Sequence, residues 1–133
     1  MSRLIMLDTH TASALIKNLS PALRARTAAT PVARTCISAI TEGEIRFGLA
    51  KNPGTKHAEA ARRFLATVPI MPWDCAAATA YGELRARLER TGTPLGALDT
   101  LIAAHALALD AELITANKAF AYAPGLTTAD WTV

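Results

Sequence analysis

RLIMLDTHTASALIKN, residues 3–18, changes period in its middle. The brief apolar run at 3–7 reads as a short buried strand. It ends on Asp8, and Thr9, His10 and Thr11 lead into ASALIKN, whose apolar spacing is helical. A strand that passes at once into a helix opens an α/β domain, and the alternation continues along the chain. Ser20 followed by Pro21 marks a helix start, and that helix runs to about Thr30 before Pro31. ARTCIS (33–38) is a second strand, residues 39–51 a helix, and NPG (52–54) a break. KHAEAARRFLAT (56–67) resumes a helix with Phe64 and Leu65 inward and Arg62 and Arg63 outward. VPIMPW (68–73) is a short strand limited by its prolines. Asp74 caps the helix 75–90, Gly92 ends it, and Pro94 and Gly96 introduce another. AELIT (111–115) is a fourth strand, and the tail is mostly loop with one edge strand near Leu126. The pattern predicts a single α/β domain over 1–133, with a mainly parallel four- or five-stranded sheet flanked by helices.

At 133 residues, 51% hydrophobic and 19% charged, the chain can bury a sizeable core without staples. Cys36 and Cys75 lack the CxxC spacing of a zinc or redox site, so two buried thiols and a reducing compartment are expected. The first apolar run is too short to span a membrane, and Asp8 interrupts it where an export signal stays uncharged. A cytoplasmic location is therefore expected. A formal charge of +3 permits a polyanionic partner. The chain contains no G-x-S-x-G, P-loop or GxGxxG, which excludes the corresponding hydrolase, nucleotidase and dinucleotide-binding classes.

The informative residues are acids in apolar company. GALDTLIAAHALAL (96–109) forms a helix that is apolar almost all round, through Leu98, Leu101, Ile102, Leu107 and Leu109, yet it carries Asp99 in its first turn. A carboxylate there needs donors, a cation or a metal, although the helix N-terminus itself favours an acid. Glu42 has Arg46 four residues on, the order of an exposed ion pair. Glu44, about 200° round the helix from Glu42, falls on a stripe with Ile40, Phe47 and Gly48 that reads as inward-facing. Asp8 closes the first strand and Asn117 lies just beyond the fourth; in open parallel sheets ligands bind at that carboxyl edge. Asp8, Glu44 and Asp99 thus converge there. Their repulsion can be relieved by proton sharing, by an arginine, or by a hard divalent cation such as Mg²⁺. His105, about 120° from Asp99 on the helix, and the isolated His57 fall outside the group, Asp74 is a cap, and Asp110 lies about 16 Å further along.

The blocks LIMLDTH, SAITEGEIRFG (38–48), GTPLGALDTLIAAHA (92–106) and LITANKAF with PGL and DW occur in this order over essentially the whole chain. Together they resemble the signature blocks of the PIN-domain family, in particular its VapC-type toxin ribonucleases. The resemblance implies a Mg²⁺- or Mn²⁺-dependent endoribonuclease whose metal-binding acids are Asp8, Glu44 and Asp99. The fourth site position, often an aspartate in the family, is Asn117 here. It would offer an amide oxygen, and with Ala119 where relatives often carry another acid, one tightly held ion is expected. His10 stands where asparagine is frequent and reads as a solvent-facing turn residue. Thr9 and Thr115, beside strand ends, would orient ligands or water. The resemblance further implies a cognate antitoxin, whose peptide can place an arginine among the carboxylates, in heterotetramers or larger assemblies; a homodimer is expected because the apolar faces of the Ala-rich helices exceed what one small sheet needs to cover.

RNA binding needs cations around this acidic centre, and Lys17, Arg24, Arg26, Arg46, Arg85, Arg87 and Lys118 are the candidates, Arg46, Arg85, Arg87 and Lys118 foremost. Few aromatic residues and no stacking motif point to structured RNA as the substrate, and the family resemblance implies tRNA or rRNA. The alternatives are a catalytically silent PIN-like module that binds RNA or protein, and a small-molecule phosphohydrolase using the same metal.

Overall fold

The computed structural model describes residues 3–133. Five strands form one all-parallel sheet in the order β3-β2-β1-β4-β5: β1 (Ile5–Leu7), β2 (Thr35–Ser38), β3 (Ile70–Met71), β4 (Glu112–Ile114) and β5 (Thr127–Ala129). Six helices cover it: α1 (Thr9–Ile16), α2 (Pro21–Ala28), α3 (Ala39–Lys51), α4 (Ala58–Thr67), α5 (Cys75–Thr91) and α6 (Ala97–Ala108). The tail does contain the fifth, edge strand, so the sheet takes the larger of the two expected sizes.

Period-two alternation in the strands divides the core. Met6, Cys36 and Leu113 point to one face, where Leu84 and Leu88 of α5, Ile102 and the alanines of α6, and Phe120 cover them. Ile5, Leu7, Ile37 and Ile114 point to the other, against Ala12, Leu23, Leu65 and Trp131. Because β1 is buried on both faces and paired on both edges, its central place in the sheet follows from its uninterrupted apolar run.

Helix starts obey the cap residues. Ser20 Oγ accepts from Leu23 N and Asp74 Oδ1 from Ala77 N, while Gly92 ends α5 with φ +65°, a left-handed conformation suited to glycine. Three expectations need correction. Phe47 is 62% exposed and Gly48 is exposed too; the inward side of α3 is instead Thr41, Ile45 and Leu49, the side that packs against α1, α4 and the sheet. Leu98 is 45% exposed, so the first turn of α6 is not apolar-buried all round. Cys75 is exposed rather than buried, being the first residue of α5 on its outer side; Cys36 is buried as expected.

Candidate active site

Asp8 follows β1, Ser38 ends β2 and Thr115 follows β4, so one carboxyl edge of three adjacent parallel strands collects polar side chains from distant parts of the chain. Asp8 is 2% exposed. Its Oδ1 accepts from Thr11 N at 2.8 Å, the N-cap bond of α1, and its Oδ2 accepts from the Thr115 hydroxyl at 2.6 Å. Two donors on two oxygens, from different elements, leave the carboxylate one orientation. Thr115 Oγ1 in turn accepts from Asn117 N at 3.0 Å.

Asp99 is half-buried in the first turn of α6. Burial, and then the charge of Asp8, push its carboxyl above the usual carboxylate range; His10 and a 3.3 Å hydrogen bond from Asn117 Nδ2 act in the opposite sense. Asp8 and Asp99 therefore share an electrostatic site. His10 is exposed, as expected for a turn-facing residue, but its ring stands where its charge acts on Asp99.

Asn117 differs from the expectation. Its Oδ1 accepts from Ala119 N at 3.0 Å, capping the short 3₁₀ segment Lys118–Tyr122, so the amide presents its NH₂ to Asp99. The side chain acts as a hydrogen-bond donor to one acid, while one lone pair of its oxygen serves the backbone cap.

Glu44 is half-buried on α3. Among the described residues no three His, Cys, Asp or Glu side chains stand close enough to hold a metal ion. Asp8, Asp99 and Asn117 are brought together, and Glu44 does not join them at ligand distance. Thr9 turns from the acids and shares a 3.1 Å hydrogen bond with Thr41 on α3, which ties the helix carrying Glu44 to the one capped by Asp8. Thr41, buried, is a residue that pattern reasoning missed; a hydroxyl in the first turn after a strand is its only signal in the sequence.

The donor set suits a hard divalent cation. Mg²⁺ binds oxygen, keeps several waters, and typically uses one or two carboxylates with phosphate oxygens. Here one carboxylate is preorganised in a dry setting, and a second is penalised for its charge beside it.

The basic candidates separate. Arg46 pairs with Glu42 at 2.8 Å, as anticipated, and Arg85 with Glu89 at 3.0 Å and with the Tyr81 hydroxyl at 3.0 Å. Arg26 lies over the Trp131 ring. Arg87 and Lys118 are exposed and form no salt bridge among the described residues. Asp110 pairs with Arg3 at 3.0 Å, away from the site. No helix among the described residues is long and apolar enough to cross a membrane.

A parallel α/β sheet with two acids opposed at its carboxyl edge, one of them anchored by a threonine hydroxyl, defines a class of small acidic-centre domains. The PIN domain family matches residues 5–126, and the chain belongs to that family and, within it, to the VapC ribonucleases. It is 34% identical to the tRNA(fMet)-specific endonuclease VapC of Salmonella typhimurium over 128 residues, 95% of this chain and 96% of that protein. Its fold is similar to that of DNA-bound VapBC from Salmonella typhimurium (TM-score 0.86, 32% identity, 98% of this chain and 99% of that one). It is equally close to VapBC2 from Rickettsia felis bound to a promoter DNA fragment (TM-score 0.87, 28% identity, 96% and 98%).

Proposed function

We propose that this chain is the toxin of a toxin–antitoxin pair, an endoribonuclease that hydrolyses phosphodiester bonds in structured RNA with the help of a divalent cation, Mg²⁺ or Mn²⁺. The observation that carries the reading is the opposition of Asp8 and Asp99: a second acid, already penalised by its own burial, is penalised further by a buried, doubly hydrogen-bonded carboxylate beside it. Asp8 and Asp99 would hold the cation directly, and Glu44 on α3, outside ligand distance, would reach it through a bound water. A bound cation would supply positive charge to the scissile phosphate and acidify water for an in-line attack that leaves a 5′-phosphate and a 3′-hydroxyl. Thr115 fixes the direction of Asp8, and Asn117 supplies a neutral donor that steadies Asp99. Lys17, Arg24, Arg87 and Lys118, exposed and outside any salt bridge among the described residues, are the candidate cations free to meet RNA phosphates.

The Salmonella relative is named for tRNA(fMet), which supports tRNA as the substrate class. VapBC assemblies among the fold neighbours support a cognate antitoxin as partner. The test is cleavage of total tRNA with Mg²⁺, Mn²⁺ or chelator, by the wild type and by Asp99→Asn. Cation-dependent cuts that disappear on substitution are expected; RNA cut equally well by both proteins overturns the assignment. A silent RNA-binding module is the second reading, favoured by the amide at position 117, and binding without cleavage by either protein is its outcome.

A further inference from the structure

His105 is 1% exposed, and nothing in the reaction above uses it. Its Nδ1 lies 2.7 Å from Ser38 Oγ, a hydrogen bond between two buried side chains 67 residues apart, and the backbone of Pro72 lies near the ring. Ser38 Oγ already accepts from Ile40 N at 3.1 Å, the N-cap bond of α3. Its single proton is therefore free to donate to Nδ1. With the imidazole neutral and its proton on Nε2, the one hydroxyl serves both bonds, accepting from Ile40 N and donating to Nδ1.

Ser38 and His105 stand on the elements that carry Glu44 and Asp99. Ser38 ends β2 and starts α3, the helix of Glu44; Pro72 lies between β3 and α5; and His105 is two turns along the helix of Asp99. α3 and α6 also pack directly on one another. We infer that His105 is a positioning residue: its hydrogen bond to Ser38 staples α6 to the start of α3 and so sets the separation of Asp99 and Glu44. This inference rests on the proposed cation site but not on the identity of the RNA.

The experiment compares wild type, His105→Phe, His105→Asn and Leu23→Ala. The phenylalanine fills the ring's volume without an acceptor, and the asparagine carboxamide can restore an acceptor near Nδ1. Leu23→Ala, in the core cluster on the far face of the sheet, supplies a comparable loss of stability away from the staple. Expected for His105→Phe, at a temperature where it is folded by circular dichroism, are Mn²⁺ binding roughly tenfold weaker by calorimetry, lower kcat with little change in KM for tRNA, and faster hydrogen exchange at the Ile40 amide. His105→Asn should recover part of each, and Leu23→Ala none of these losses. Unchanged Mn²⁺ affinity and unchanged Ile40 exchange in folded His105→Phe overturn the staple. If the wild type binds no Mn²⁺, the cation site itself fails; Ile40 exchange then decides the staple alone, accelerated exchange upholding it and unchanged exchange overturning it.

Discussion

Thr115 and Asp8, 107 residues apart in the chain, meet through a 2.6 Å hydrogen bond between buried side chains at the ends of adjacent parallel strands. Thr115→Val keeps the shape and removes the donor. A hydrogen bond to a charged group is worth about 1.5–3 kcal/mol, so urea unfolding should show a loss in that range, and tRNA cleavage should fall with it. Thr115→Ser should behave as wild type in both measurements.

Burial penalises the Asp99 carboxylate, and repulsion from Asp8 adds to the penalty. Asp99→Asn should therefore raise Tm in chelator while abolishing cleavage, a loss of roughly 100-fold or more. Added Mn²⁺ should raise the Tm of the wild type and leave that of the variant nearly unchanged, since only a protein that binds the ion in its folded form gains from it. Scanning calorimetry with and without Mn²⁺ reads both effects.

Asn117 donates to Asp99, so Asn117→Asp exchanges a favourable contact for a third negative charge. In chelator Tm should fall. In Mn²⁺ the difference between variant and wild type should shrink or reverse, because the added carboxylate becomes a ligand; a variant as destabilised in Mn²⁺ as in chelator would contradict this placement.

Burial pushes His105 below its ordinary value of 6.5, against the opposing pull of Asp74 and of the Pro72 carbonyl. The folded protein then binds fewer protons than the unfolded chain between the two values. Stability is fully present above about 6.5 and declines as pH falls through it toward the lower, folded value. Urea midpoints from pH 7.5 to 5 should show this decline in the wild type and a flatter profile in His105→Phe.

The thiols should differ sharply. Burial raises Cys36 to about 12, whereas Cys75 is exposed at the start of α5. A disulfide reagent at pH 8 should titrate one equivalent in the native protein and two in denaturant, and Cys75→Ser should abolish the native reaction.

Alternating apolar runs and helix caps made the layered α/β fold legible without coordinates, because both are local: Ser20, Asp74 and Gly92 act within one turn of themselves, and the buried run at 5–7 can only be an interior strand. Asp99 could be singled out for the same reason, as a charge in an apolar stripe, and Asp8 as an acid closing a buried strand, whereas the stripe that drew attention to Glu44 is exposed at Phe47 and Gly48. Partnership is what no local pattern encodes. Glu44 and Asp99 look alike as isolated anomalies, yet packing brings Asp99 to Asp8 and leaves Glu44 outside ligand distance. The direction of Asn117's amide was set by the 3₁₀ segment that follows it, and the role of His105 by a serine 67 residues away. Burial and helical period are properties of segments, whereas hydrogen-bond direction and charge coupling depend on distances of a few ångströms between segments, which only the folded sheet establishes.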